Sequence, residues 1–246
     1  MSAASEEWTD FSWLVIQLAR QIRPHDVTFS GVNSTLPMLA CLLAKRTCDF
    51  PFTYLNVAGG VDPTPARIPH SSSAPALFEG SASIFANQDF YDLCLRGGMD
   101  LCFLGAAQID ALGRTNVSVI GDYAKPKVRL PGGGGAVVMM PTARRVVTWR
   151  TEHTPRVLVE RLDFVTAAGR TAAVITPLAV FERDPDHAAS RLKLVLMRPG
   201  VAAEEIAART GFAFAADTAV VAPPPTRREL DALASIDPDA RFAAEI

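Results

Sequence analysis

No apolar run in this chain approaches the ~20 residues that a membrane-crossing helix needs, so no span is expected. The first ten residues, Met1 to Asp10, are polar and acidic, unlike the basic and then apolar start of a secretory signal. A basic excess is missing too: the formal net charge is −2, against a dedicated nucleic-acid binder. The four cysteines, Cys41, Cys48, Cys94 and Cys102, form no CxxC and have no histidine at metal-ligand spacing. They read as reduced, mostly buried thiols of a cytoplasmic protein. The histidines His25, His70, His153 and His187 are scattered and read as surface or turn residues, with His70 the one worth testing. A Gly-x-Ser-x-Gly elbow is absent, which removes a conventional serine esterase.

What the chain has is a core. Of its 246 residues 49% are hydrophobic and only 20% charged, enough to bury a large interior. Trp8, Phe11, Leu14, Val15, Leu18 and Ile22 recur at helical spacing and predict a helix over Glu6 to Ile22, ended by Pro24. Val27–Ser30 predicts a strand. A helix to about Lys45 follows, with Ser34 as its cap, and then a strand over Phe52–Val57. Strand–helix–strand order predicts a parallel α/β sheet. Residues 62–83, rich in Pro, Ser and Ala, predict a surface loop that covers a site. Asn87 caps a helix through Leu95, stopped by Gly97 and Gly98. Leu101–Leu104 and Asn116–Ile120 predict strands, with Gly113 turning between them. Further strands are expected at Arg145–Trp149, Arg161–Val165, Leu178–Glu182 and Leu192–Met197. Helices are expected at Val201–Thr210 and Thr226–Ser235. The whole, residues 1–246, reads as one α/β domain with an open, mostly parallel sheet flanked by helices and a mixed C-terminal part.

Three places could carry chemistry. Gly132, Gly133, Gly134 and Gly135 stand in a row after Leu130 and Pro131. Four glycines cost conformational entropy, so they mark either a tight loop or close approach of a ligand to backbone amides. They lack the Lys-Ser/Thr of a phosphate-binding loop and the spacing of a dinucleotide fingerprint. Gln108 and Asp110 follow a buried strand, where ligands of parallel sheets gather, although turn or capping roles are commoner there. The turn Asn56, Val57, Ala58, Gly59 ends another strand.

Taken together, the stretch from Gly105 to Gly121 (GAAQIDALGRTNVSVIG) and from Lys127 to Gly135 (KVRLPGGGG) resembles the β subunit of the glutaconate CoA-transferase family, among the class I CoA-transferases. Met197–Val201 and Pro225–Pro238 resemble the end of such subunits. The resemblance implies the class I CoA-transferase fold, a homologous α subunit in a heterodimer or α2β2 complex, and a coenzyme A thioester as substrate with no tightly bound cofactor. It also implies that the glycine loop binds the thioester oxygen and that Gln108 lines the site, while Asn116 matches a family asparagine with a ligand or a turn role; Asp110 reads as structural. Enzymes of that family attack the acyl-CoA with a glutamate in a Glu-x-Gly turn. Here the turn reads Val57-Ala58-Gly59, and Val57 stands at the position of the lost nucleophile. Glu79 is a weak substitute, set in the loop. The pattern is similar to the branch that decarboxylates 3-methylglutaconyl-CoA without biotin. The alternatives are a ring-opening acyl-CoA hydrolase of steroid breakdown, an ordinary CoA-transferase, and a non-catalytic scaffold subunit.

Overall fold

The computed structural model describes residues 8–243. Thr9 opens the first helix, α1 (Asp10–Ala19): its hydroxyl accepts the Ser12 amide and its own amide donates to the Ser12 hydroxyl, both at 3.0 Å. Such a reciprocal cap contributes about 1 kcal/mol. The helix is therefore shorter than the apolar periodicity predicted, and its expected first residues, Glu6 and Glu7, lie outside the described residues.

In chain order there follow β1 (Val27–Ser30), α2 (Thr35–Thr47), β2 (Thr53–Asn56), β3 (Gly60–Val61), β4 (Ser83–Ile84), α3 (Asn87–Leu95) and β5 (Leu101–Gly105). Then come β6 (Gln108–Ile109), β7 (Thr115–Asn116), β8 (Val119–Gly121), β9 (Pro126–Arg129), α4 (Ala136–Thr142) and β10 (Arg145–Trp149). The chain closes with β11 (Thr171–Ile175), β12 (Ala179–Glu182), β13 (Lys193–Met197), α5 (Ala203–Ala208), β14 (Val220–Val221) and α6 (Arg227–Ile236).

Ten strands form one sheet in the order β14-β13-β12-β11-β10-β5-β1-β2-β3-β4. The five at its centre, β11, β10, β5, β1 and β2, are mutually parallel. Antiparallel pairings begin at β12 on one side and β3 on the other. The parallel sheet and mixed C-terminal part therefore agree with expectation. Alternation along β5 divides its side chains: Phe103 packs with α1 and α2, while Cys102 and Leu104 pack with α3 and α4 on the opposite face. Trp13, Leu39, Leu43 and Tyr54 complete the first layer; Phe29, Phe90, Met139 and Met140 complete the second.

Several local expectations need correcting. Arg161–Val165 is a loop, not a strand. Its Asp163 serves side-chain and turn hydrogen bonds instead of a ladder. The strand beside β10 is Thr171–Ile175, whose small Ala172 and Ala173 carry little strand signal but fit a central position covered on both faces. Asn116–Ile120 is not one strand either: Asn116 pairs with Gln108, and Val119 begins a separate hairpin with Arg129. Ser34 sits at the start of α2 without capping it, because its hydroxyl donates to Val32 O at 3.2 Å. Ala86, not Asn87, precedes α3, and Asp89 Oδ2 accepts the Ala86 amide at 3.0 Å. His153 is buried, not a surface residue. Its ring bridges Thr176 Oγ1 at 2.7 Å and Thr210 Oγ1 at 3.0 Å, and burial first, then Arg209, lowers its pKa to about 4.

The thiols behave as expected: Cys41, Cys94 and Cys102 are buried and Cys48 half-buried. Burial raises the Cys41 pKa to about 12 and that of Cys94 to about 11.

Candidate active site

Register fixes where the parallel strands end. Ser30 is level with Asn56 and Phe103, and Trp149 with Gly105. The residues just beyond, Gly31, Val57, Ala106 and Arg150, thus emerge on one side of the sheet, where open parallel sheets bind ligands. A cavity of about 790 Å³ lies there. Its walls include Phe29, Val57, Phe85, Phe90, Leu104 and Met139, together with Gly132 to Gly135 and Trp149.

The turn after β2 is built for close packing. The Val57 amide donates to Ser30 O at 3.1 Å, which pins the turn to β1. Gly59 has φ of +110°, and a Cβ there would meet Phe85 O at 2.6 Å, so the position takes only glycine. Asn56 is fully buried and spends its side chain on Gly60 and Leu77, so it props the turn and does not line the cavity. Ala58 and Gly59 also lie outside the lining, which leaves Val57 as the turn's one contribution. The proline- and serine-rich loop braces the opposite rim: the Ser72 hydroxyl donates to Gly31 O at 2.9 Å and accepts the Ser34 amide at 3.1 Å.

All four residues of the glycine run line the cavity, and α4 begins directly after them. Gly132 is tied back by its amide to Val117 O at 2.8 Å. The amides of Gly133, Gly134 and Gly135 donate to no acceptor among the described residues. Three free amides on one cavity wall are suited to an oxygen that gains negative charge.

Gln108 and Asn116 lie behind the wall instead of on it. Asn116 Nδ2 donates to Gln108 Oε1 at 2.7 Å and to Val119 O at 2.6 Å, and Gln108 Nε2 donates to Asp163 Oδ2 at 3.1 Å. Asp163, which is exposed, in turn accepts the Gly121 amide at 2.9 Å, so this chain, buried at Gln108 and Asn116, holds the base of the β8–β9 hairpin. Asp110 is structural: it accepts the Leu112 and Arg114 amides and pairs with the Arg114 guanidinium at 2.6 Å. Glu79 accepts the Ala66 amide away from the cavity, and His70 packs on Phe242.

Sequence reasoning missed Trp149 and Arg150, which end β10 beside β5. Both line the cavity, and Trp149 Nε1 and Arg150 Nε are buried with no acceptor among the described residues. Arg150 also lies 3.5 Å from Glu152. The rule that selected Gln108, that ligands sit past parallel strand ends, applies equally to the end of β10 and could have found them. Among the described residues lining the cavity, Arg150 is the sole charged side chain, and no carboxylate, thiol or imidazole joins it.

A family model described as Coenzyme A transferase matches residues 15–209. The chain belongs to that family. It is 32% identical to the B chain of the 3-oxoadipate CoA-transferase of Pseudomonas knackmussii, over 94% of this chain and 93% of that one. The crystal structure of the decarboxylase AibA/AibB superposes with a TM-score of 0.88 at 33% identity, covering 96% of this chain and 98% of that one. Glutaconate CoA-transferase from Acidaminococcus fermentans has a TM-score of 0.83 at 23% identity, over 96% and 97% of the two chains, which shows the shared fold. This member of the coenzyme A transferase family therefore carries the family's fold, with a cavity that has no acid among its described lining residues. Among the described residues, no helix is long and apolar enough to cross a membrane.

Proposed function

We propose that this chain is the B-type component of a two-subunit enzyme that decarboxylates a glutaconyl-type acyl-CoA, converting 3-methylglutaconyl-CoA to 3,3-dimethylacryloyl-CoA. The observation that supports this most is the composition of the cavity: an apolar wall at Val57, three backbone amides in the glycine run without acceptors, and no carboxylate among its described lining residues to attack a thioester. A transferase acting through a glutamyl thioester needs such a carboxylate; decarboxylation does not. The carbon–carbon bond to the distal carboxylate breaks and CO2 leaves. The electron pair enters the conjugated system and its charge reaches the thioester oxygen, where the glycine amides receive it. A proton then adds to the carbon that lost CO2, and the thioester survives. Apolar walls favour the step by withdrawing water from the departing carboxylate. Coenzyme A is thus part of the substrate and not a held cofactor.

The partner in this reading is a homologous A-type subunit seated over the cavity mouth. Val32, which lines the cavity, is 71% exposed, Ile84 on edge strand β4 is 66% exposed, and Val137 beside Gly133 is 49% exposed. A partner seated there would cover these exposed apolar side chains.

The test is to co-express the chain with its A-type neighbour and follow CoA esters by mass spectrometry, without acceptor acid. Appearance of the shorter enoyl-CoA is expected. Free CoA as the main product identifies a hydrolase. Turnover only with an added acid, together with a CoA adduct on a carboxylate of this chain, identifies a transferase. Either result overturns the proposal.

A further inference from the structure

The β8–β9 hairpin grows directly out of the cavity wall. Val117 before it and Leu130 after it both line the cavity, and the Leu130 amide donates to Ser118 O at 2.9 Å to close its base. From there it projects to a turn at Asp122–Lys125 that is exposed throughout. Three cations follow one another on its returning limb: Lys125 at the end of the turn, and Lys127 and Arg129 on β9, whose pairing with β8 shifts register across Lys127. All three are exposed, and neither lysine has an ion-pair partner among the described residues.

The nearby acids are already committed. Asp122 folds back to accept the Ala124 and Lys125 amides at 2.9 and 3.0 Å, and Asp163 is held by Gly121 and Gln108. The arm is also stiffened. Tyr123 stacks on Phe164 at 4.8 Å between ring centroids, and the Arg129 guanidinium lies 5.0 Å from the Tyr123 ring. A chain of net charge −2 thus carries three exposed cations on a hairpin whose base lines the cavity.

We propose that this row binds the phosphates at the adenosine end of the CoA ester. The idea rests on the cavity taking an acyl-CoA, but not on which reaction follows. Reach supports it. From Leu130 at the cavity to Lys125 is five residues, roughly 17 Å at strand rise. The pantetheine arm between sulfur and first phosphate has thirteen bonds, an extended length of roughly 16 Å at ordinary covalent geometry. With the thioester at the glycine loop, the pyrophosphate and the ribose phosphate come out alongside Lys125, Lys127 and Arg129. Lysines set as point charges suit a phosphate group whose position varies slightly between substrates.

The experiment uses the co-expressed two-subunit complex carrying Lys125→Glu and Lys127→Glu together. Calorimetry with coenzyme A gives its Kd. Turnover of the acyl-CoA and of the matching acyl-pantetheine, which lacks every phosphate, gives a ratio of kcat/KM values. An exposed cation–phosphate contact is worth a factor of roughly two to five, and two reversed charges should weaken CoA about tenfold or more. The kcat/KM ratio should fall by the same factor, and the salt dependence of the Kd should flatten. An unchanged Kd overturns the proposal, as does an equal loss for both thioesters. If the two substitutions release the partner chain, the hairpin is a protein interface and the proposal is likewise overturned. If the complex binds CoA in this way but does not decarboxylate, the reaction assigned above falls and the phosphate row stands.

Discussion

On the proposed reading, replacing Val57 with glutamate would supply the carboxylate that a transferase requires, in an apolar part of the cavity wall. Val57 packs against the cluster of Phe29, Leu55 and Phe90, so the new carboxylate loses water on its apolar side. At a half-buried position this desolvation raises its pKa above the ordinary carboxylate range. The group stays mostly ionised at neutral pH. A volume of 790 Å³ corresponds to a sphere roughly 11 Å across, so wall and centre lie ~6 Å apart; two negative charges at that distance repel by about 2.8 kcal/mol at an effective dielectric of ~20. That is about a 100-fold loss in kcat/KM for a substrate with a free carboxylate.

The sign with pH follows. As pH falls through the raised pKa the glutamate is neutralised, the repulsion disappears, and the variant recovers relative to the wild type. Val57→Gln, equally polar but uncharged, should lose less and show no such recovery. The assay is the pH profile of kcat/KM for both variants in the two-subunit complex. A Val57→Glu enzyme as fast as the wild type, or one whose deficit does not change with pH, refutes the electrostatic reasoning.

Gly133→Val should lower kcat by about 10²-fold, the scale for losing an oxyanion donor. Even a Cβ there would lie 2.7 Å from Val137 Cγ1 and 3.0 Å from Thr166 Cγ2 and would push the loop, so unchanged kcat would remove the glycine amides from the mechanism. Arg145 and Asp26 pair at 2.6 Å in the interior and tie the start of β10 to the segment before β1. Arg145→Ala should cost about 3–5 kcal/mol in denaturant unfolding by leaving a buried carboxylate uncompensated, whereas the double change Asp26→Leu/Arg145→Met should cost much less. His153, with a folded pKa of about 4 against an ordinary 6.5, binds a proton more readily in the unfolded chain. Its stabilisation is therefore full above pH 6.5 and is lost as pH falls toward 4, by up to about 3 kcal/mol. Unfolding curves at pH 7 and 4.5 should show that loss reduced in His153→Gln.

Local signals were enough for much of this protein. Apolar spacing placed α1, strand–helix–strand order placed α2, β-rich runs placed β1, β2, β5 and β10, and Gly97 and Gly98 correctly ended α3. The glycine run and the Val57 turn were visible because glycine in a row and a strand-ending turn are features of consecutive residues. Where a segment takes its structure from distant neighbours, sequence failed. Thr171–Ile175 is a strand because β10 and β12 flank it, and its alanines fit a doubly covered position that no local preference announces. Gln108 and Asn116 looked like ligand contacts until the fold turned both side chains toward Asp163 and each other. Trp149 and Arg150 lie more than ninety residues beyond Val57 in the chain. Only the register of four parallel strands brings them to the same cavity. The sequence by itself determined the family and the parallel core, because each is written in contiguous residues. Tertiary structure alone decided which polar groups face the ligand, because that depends on which strand ends coincide and which side chains find partners inside the protein.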